Sequence, residues 1–493
     1  MAVNYRIDLS NWIRLCLCFK SCQNAFFMTE QQDLNAVADS QKLADPAARW
    51  KSPSLFIFRF VFSYVILFLG SFSGFFAPLS LPVAALSKGI WQVIVPWVAT
   101  HILKVPPPPL FSDGDGLGQW IQFVGCGVFA VVAMVIWSVF DRRRKNYDTL
   151  HQWLRVLLRY ALGVAMFTYG LFKVFHLQML PPHLAKLVQS YGDSSPTSLL
   201  WIFLGSSAAY SAFTGVAEML GGLLLFNRRT TTLGALVSFG ALGHVLAMNL
   251  SYDVSVKIWS MNLLALSVVL ILPDLRRLIN VFVLNQPSEK VEFPSLFRSR
   301  KRRRIAFVIG MTCLVITLGF RLIGVANGLG RSYKRTPVPI YGIYEVESFS
   351  LNGTLLPPLL TDETRWKMLV IERSGLASII LMDNEPSDYL TSVDSTNGTV
   401  TFVTNSDETV TTAGATRLAY DPRIIERRFE RSIEADSNAG QLLEYSRSEP
   451  DELALVGQWR SDVIEVQLKR IDESEFLLLS RVFHWIQAYP FFR

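Results

Sequence analysis

The chain has 493 residues, 51% of them apolar, 12% aromatic and 18% charged, with a net charge of +7. Soluble domains carry about 25% charged residues, so this composition excludes one large soluble enzyme and a disordered chain, and five cysteines exclude a disulfide scaffold. The charge is unevenly placed: residues 339–493 hold 14 Lys/Arg against 25 Asp/Glu, whereas residues 1–338 hold 33 against 15.

Residues 1–53 read as a polar tail without the short apolar core and small-residue cleavage site of a secretory signal. Met28 opens a polar run, Met28-Thr29-Glu30-Gln31, that would serve as an alternative start. Cys16, Cys18 and Cys22 lack a second Cys or His pair at zinc-site spacing, and no metal site is expected.

A helix needs roughly 20 mostly apolar residues to cross a bilayer. Seven stretches qualify: 54–78, 119–140, 154–176, 203–226, 232–249, 256–273 and 305–325. An eighth, 81–104, is interrupted by Lys88, Pro96 and Lys104 and reads as an interfacial or re-entrant segment. Lys and Arg collect on the cytoplasmic side of membrane proteins. With seven spans, Arg142-Arg143-Arg144-Lys145, Arg228-Arg229, Arg276-Arg277 and the run 298–304 all fall on one face. That places the N-terminus in the cytoplasm and residues 326–493 outside the inner membrane. Counting 81–104 as a span moves only the N-terminus.

The membrane region divides into two helices with the interfacial segment (54–146), a four-helix bundle (147–280), a basic linker (281–304) and a last helix (305–325). Ionisable groups at membrane depth are costly and mark functional candidates. Glu218 shares a helix face with Ser211, Thr214, Gly215, Gly221 and Gly222, a small, polar stripe suited to close helix approach. His244 lies on the next helix among small residues. Tyr169, Lys173 and His176 fall on one face of the preceding helix, and Asp253 and Lys257 open the sixth span. These eight positions (Glu218, His244, Lys173, Tyr169, His176, Thr214, Asp253 and Lys257) form the candidate intramembrane polar site, either a quinone or proton site or a network that fastens helices. By helix rise Glu218 lies deeper than Lys173, so contact between them would require offset or tilted helices.

Three runs carry a resemblance: Tyr169-Gly170-Leu171-Phe172-Lys173-Val174-Phe175, Phe213-Thr214-Gly215-Val216-Ala217-Glu218-Met219-Leu220-Gly221-Gly222 and Arg228-Arg229-Thr230-Thr231-Thr232-Leu233-Gly234-Ala235. With the exit Ile271-Leu272-Pro273-Asp274-Leu275-Arg276-Arg277, they make residues 147–280 resemble the DoxX family of bacterial four-helix membrane proteins. The resemblance implies an accessory place in a quinone-linked redox or cell-envelope system, with quinone as the cofactor concerned. The extra spans and the outer domain depart from the family's small-subunit pattern.

From Pro339 the apolar pattern changes to period two, and Asn352-Gly353 is a hairpin signal. After the opening strand at 340–349, further strands are expected at 366–372, 376–382, 388–394, 398–405, 441–447, 452–458, 462–470 and 475–481, with a charged helix at 421–436. Short loops between consecutive strands favour an up-and-down barrel. The opening hairpin resembles that of lipocalin-like domains, with Tyr344 plugging one end. The aromatic tail from Val482 to Phe492 is expected on the barrel or at the membrane surface.

The expected fold is therefore an α-helical membrane bundle of about seven helices, containing a DoxX-like four-helix bundle, plus an all-β barrel-like domain. An accessory or structural component is the leading reading. A membrane oxidoreductase passing electrons to quinone and a carrier of lipophilic ligands are the alternatives. The bilayer and a quinone or redox partner protein are the expected partners; nucleic acid is not.

Overall fold

The computed structural model describes residues 50–481, apart from 72–77, 79, 110–113, 289–295, 298, 333–335, 405–421 and 436–439, together with Trp485 and Ile486. The cysteine cluster at 16–22, the alternative start and most of the aromatic tail lie outside the described residues.

The helices are α1 (Ser52–Ser71), α2 (Leu81–Val98, prolonged by a wide turn to Leu103), α3 (Leu117–Phe140), α4 (Asp148–Val174), α5 (Leu184–Val188), α6 (Pro196–Ser206), α7 (Ala208–Phe226), α8 (Thr231–Ser251), α9 (Lys257–Ile271), α10 (Leu275–Phe282) and α11 (Arg300–Ser332). Eight helical stretches among the described residues are long and apolar enough to cross a membrane, Leu81–Leu103 included. Lipid is the only solvent that tolerates their outward apolar faces, where Val93, Val128 and Val315 are exposed.

Two boundaries differ from the sequence expectation. The stretch 203–226 is broken at Ser207, whose side chain accepts from the Tyr210 N–H and caps α7. The helix expected to end at 273 tightens through a single turn at Leu272–Asp274, around Pro273, and then continues as α10.

Contacts at the helix ends fix the relative sides. Trp50 donates its backbone N–H to Lys145 O at 3.0 Å and its indole N–H to Asp148 Oδ1 at 3.0 Å. Buried Arg59 donates to Tyr147 Oη (3.0 Å), Ser138 Oγ (2.8 Å) and Asp141 O (2.8 Å). The start of α1 therefore sits with the basic 142–145 turn. Asp115 instead receives the Lys257 and Ile258 N–H groups and caps α9. The helices α4, α7 and α8 carry the chain from the first of these ends to the second, so α1 and α2 together make one net passage. Trp91 of α2 donates to Ser71 Oγ at the end of α1 (2.9 Å), which joins the two legs.

The C-terminal domain is a closed antiparallel barrel. Its strands are β1 (Gly342–Leu351), β2 (Thr354–Leu355), β3 (Trp366–Ile371), β4 (Leu376–Leu381), β5 (Pro386–Asp394), β6 (Thr399–Thr404), β7 (Gly440–Ser446), β8 (Glu452–Trp459) and β9 (Asp462–Ile471), with helix α12 (Pro422–Ala435) between β6 and β7. Neighbours follow chain order and β1 pairs with β9, so eight strands close the ring while β2 only folds back on β1. Asn352 and Gly353, both at positive φ, make the tight turn between β1 and β2. The strand expected at 475–481 is instead a turn at Glu473–Glu475 and a short helix, α13 (Leu477–Ser480). Closure by β1 and β9 leaves no edge for another strand, and the Asp472 side chain accepts from the Ser474 N–H to start the turn.

The barrel is filled by its own side chains. Trp459 stands edge-on to Trp366 (4.8 Å between centroids), Tyr389 (5.3 Å) and Phe402 (5.5 Å), surrounded by Phe349, Leu453 and Val466. Tyr344 is buried, and its hydroxyl accepts from Arg447 Nη2 at 3.1 Å. Strand β4, Leu-Ala-Ser-Ile-Ile-Leu, lacks clean alternation because both of its faces are covered. Ala377 and Ile379 join the core, Ile380 meets α5, and Leu376 meets Ile425 and Phe429 of α12.

Candidate functional site

The polar site is built on the crossing of α4 and α7. Glycines permit the approach: a Cβ on Gly215 would lie 2.6 Å from Gly170 O, and one on Gly222 would lie 2.7 Å from Gly163 O. The two contacts are seven residues apart on each helix, two turns, which keeps the same faces together. On its other side α7 meets α8, where a Cβ on Gly221 would strike Ser238 Oγ at 2.7 Å. Glu218 projects between these backbones and is sealed from both sides.

Lys173 Nζ is hydrogen-bonded and ion-paired to Glu218 Oε1, with side chains only 8% and 6% exposed. The helices are antiparallel and Gly215 faces both Gly170 O and Val174 N, so it stands level with about residue 172 and Glu218 lies some four residues deeper than Lys173, about 6 Å along the axis. The lysine stem spans that offset. Ser211 Oγ donates to Lys173 O at 3.0 Å, tying the end of α4 to α7. Glu218 Oε2 is buried and has no hydrogen-bond partner among the described residues. Tyr169 lies within electrostatic reach of both Glu218 and Arg321, and Trp259 of α9 stands beside its hydroxyl.

The structure thus brings together Glu218, Lys173 and Tyr169 and adds Arg321 of α11, which the sequence reading passed over. The other sequence candidates lie apart from the ion pair. His244 is exposed on α8. Small neighbours at helical spacing marked its face as a packing face, but α8 turns Gly234, Ser238 and Leu242 inward instead. Thr214 spends its hydroxyl on Ser211 O one turn back (2.9 Å). His176 stands at positive φ just past α4, its ring against the Gly205 backbone. Asp253 and Lys257 pair with each other at 2.6 Å, with the Asp253 side chain 86% exposed, at the surface rather than on a track inward.

Further polar groups fasten neighbouring helices. Asn249 Nδ2 donates to Ser260 Oγ (3.0 Å) between α8 and α9. Asn262 Nδ2 donates to Ile258 O (2.8 Å) while its carbonyl accepts from Tyr64 Oη of α1.

A second constellation joins the barrel to the bundle. Buried Glu372, just past β3, accepts from the Ala185 N–H (2.9 Å) at the start of α5 and contacts His183 Nδ1 (3.0 Å). Around it Leu184 packs with Ile343, Val370 and Ile380 of the barrel wall. The nearby Lys186 ammonium is pushed down by burial and pulled back up by Asp388.

Chemically, the bundle pair is a buried, charge-balanced couple at a helix crossing. No group of three or more His, Cys, Asp or Glu able to hold a metal occurs among the described residues. Neither Glu218 nor Lys173 lines the cleft of about 1860 Å³ that lies elsewhere in the bundle.

Fold and site together define a many-helix membrane protein carrying a closed, self-filled β-barrel. No family model and no solved structure matches the chain. Over 133 residues it is 26% identical to the uncharacterized protein YwoB of Bacillus subtilis (strain 168), a match covering 25% of this chain and 79% of that protein.

Proposed function

We propose that this chain is a non-catalytic, accessory component of a cell-envelope system in the inner membrane, in which a DoxX-like bundle carries a lipocalin-like barrel on the extracytoplasmic side. The observation that carries the reading is the burial of Lys173 against Glu218 inside a glycine-packed crossing. Such a pair locks helix register and leaves no room for a reactant. The aromatic filling of the barrel supports the same reading over that of a carrier. The orientation rests on the basic turns, which gather at one end of the bundle and favour the cytoplasm there. In a quinone-linked assembly, the quinone would sit on a partner subunit.

The unpartnered Oε2 of Glu218 favours a second reading, a proton or quinone site within the bundle. Mass spectrometry of quinone retained by gently purified full-length protein separates the two. The accessory reading expects no stoichiometric quinone in the wild type. Stoichiometric quinone that is lost from Glu218→Gln, with the protein still folded, would replace it by the redox reading.

A further inference from the structure

Helix α8 carries an ionisable side chain where lipid would surround it. The helix runs from Thr231 to Ser251, and by helix rise His244 lies about 20 Å from the first end and about 10 Å from the second. A hydrocarbon core is about 30 Å thick, so the ring sits well inside it. The imidazole is exposed, and it makes no hydrogen bond, ion pair or ring contact among the described residues. Acyl chains supply neither donor nor acceptor, and ionisable groups at this depth almost always find a polar partner. His244 has none within its own chain.

The face around the ring is built of small residues. Gly240, Ala247 and Ser251 share it at helical spacing and are exposed with His244. A Cβ on Gly240, or on Gly243 beside it, would meet nothing within 4 Å. The contacts of α8 within the bundle lie on the opposite face, where Gly234, Ala235, Ser238, Leu242 and Asn249 are buried. Small residues let helix backbones approach closely in lipid, as Gly170 and Gly215 do at the crossing of α4 and α7. Toward Thr231 the exposed face turns bulky at Leu233. Close approach is therefore confined to the half of α8 that holds His244.

We infer that α8 pairs with α8 of a second copy of this chain about a two-fold axis perpendicular to the bilayer, with the two His244 rings meeting at that axis. A symmetric pair of copies inserted the same way round is related by an axis of this direction, so each residue meets its own counterpart at its own depth. A neutral imidazole carries one N–H donor and one bare nitrogen that accepts. One His244 ring can therefore donate to the other, and the group left unsatisfied in one copy supplies the partner in the next. A different membrane protein would need a polar group at this same depth on a face able to come close, whereas a second copy has both by construction. The interface is independent of the Lys173–Glu218 pair.

The test is oxidative cross-linking of the full-length chain in its native membranes, with the unsubstituted chain as background for its own cysteines. Ala247→Cys is expected to give a product of twice the chain's mass, well above that background. Met261→Cys, exposed on α9, is expected to stay at background. Adding His244→Leu to Ala247→Cys is expected to lower the yield about threefold or more, the scale of one hydrogen bond between helices in a bilayer. Adding His244→Asn instead, which keeps a donor and an acceptor, is expected to preserve the yield. Gly240→Leu in the same background is expected to abolish the product, while its side chain enters space open within one copy and leaves the fold intact. Background yield from Ala247→Cys, equal yields from positions 247 and 261, or a yield indifferent to both His244→Leu and Gly240→Leu would overturn the proposal. A cross-linked product of any other mass would overturn the second copy as the occupant and identify a different partner.

Discussion

Lys173 and Glu218 meet across a helix crossing whose closest approach, at Gly170 and Gly215, lies between them. Each side chain therefore reaches past the contact point, and the pair spans the junction. Sliding either helix by a turn would move the charges about 5 Å apart and strand both in an apolar interior. The pair acts as a register lock, the best-attested use of buried polar groups.

The glycine contacts set the distance that makes this lock possible. Gly215→Leu places its first carbon 2.6 Å from Gly170 O and 2.8 Å from Val174 N, both backbone atoms. Overpacking of that kind costs about 1–3 kcal/mol or more. Gly240→Leu, on α8 with open space around it, is the matched control. Thermal unfolding in detergent should show a lowered midpoint for the first variant and one within a degree or two of wild type for the second.

Docking of the barrel on α5 rests on Glu372. Replacing it with Ala removes the acceptor for the Ala185 N–H and the partner of His183. An unsatisfied buried donor costs about 1–3 kcal/mol, which corresponds to a roughly tenfold or larger increase in local opening. Hydrogen exchange followed by mass spectrometry should show faster exchange in residues 183–189, with the β6 and β8 peptides unchanged. Equal acceleration throughout the barrel would mean that Glu372 supports the barrel itself.

The β5–β6 turn supplies a pH-dependent contribution. Asp394 accepts from the Thr396 N–H (2.9 Å), Asn397 Nδ2 (2.7 Å) and the Asn397 N–H (3.3 Å), which hold its carboxyl below the usual carboxylate range. A folded-state value below the unfolded one stabilises above about pH 4 and is lost as pH falls through the depressed value. Asp394→Ala should therefore exchange faster than wild type at the Thr396 and Asn397 amides near neutral pH. The difference should shrink in acid. A difference independent of pH would show that the carboxylate charge plays no part.

The sequence made much of this arrangement legible. Spans appear wherever apolar residues run for twenty positions, and the period-two strands of the barrel emerge up to β9. Glu218 stands out because its helix face is otherwise small and neutral. Other features depend on packing that no local pattern encodes. Arg321 lies inside an apolar run, as Glu218 does, with the small residues on its face (Thr317, Gly324 and Gly328) interspersed with Leu314, Leu318 and Val325. Arg59 lies near the start of its apolar run, and its three acceptors on the 138–147 segment are brought to it by packing alone. The apparent mismatch in depth between Lys173 and Glu218 arose from treating 203–226 as one helix. The break at Ser207 shortens α7, and the lysine stem covers what remains. The supposed last strand failed because closure is a property of the whole sheet, not of residues 475–481.

The most direct measurement is a double-mutant cycle on the buried pair, using Lys173→Met, Glu218→Leu and the combination, with reversible unfolding followed in one detergent. Each single change leaves an uncompensated buried charge and should destabilise by about 3–5 kcal/mol. The double variant, with no charge to strand, should lie within about 2 kcal/mol of wild type and remain folded, giving a coupling energy of several kcal/mol between the two positions. Additive losses, with the double variant as damaged as the two singles summed, would contradict a register lock between Lys173 and Glu218.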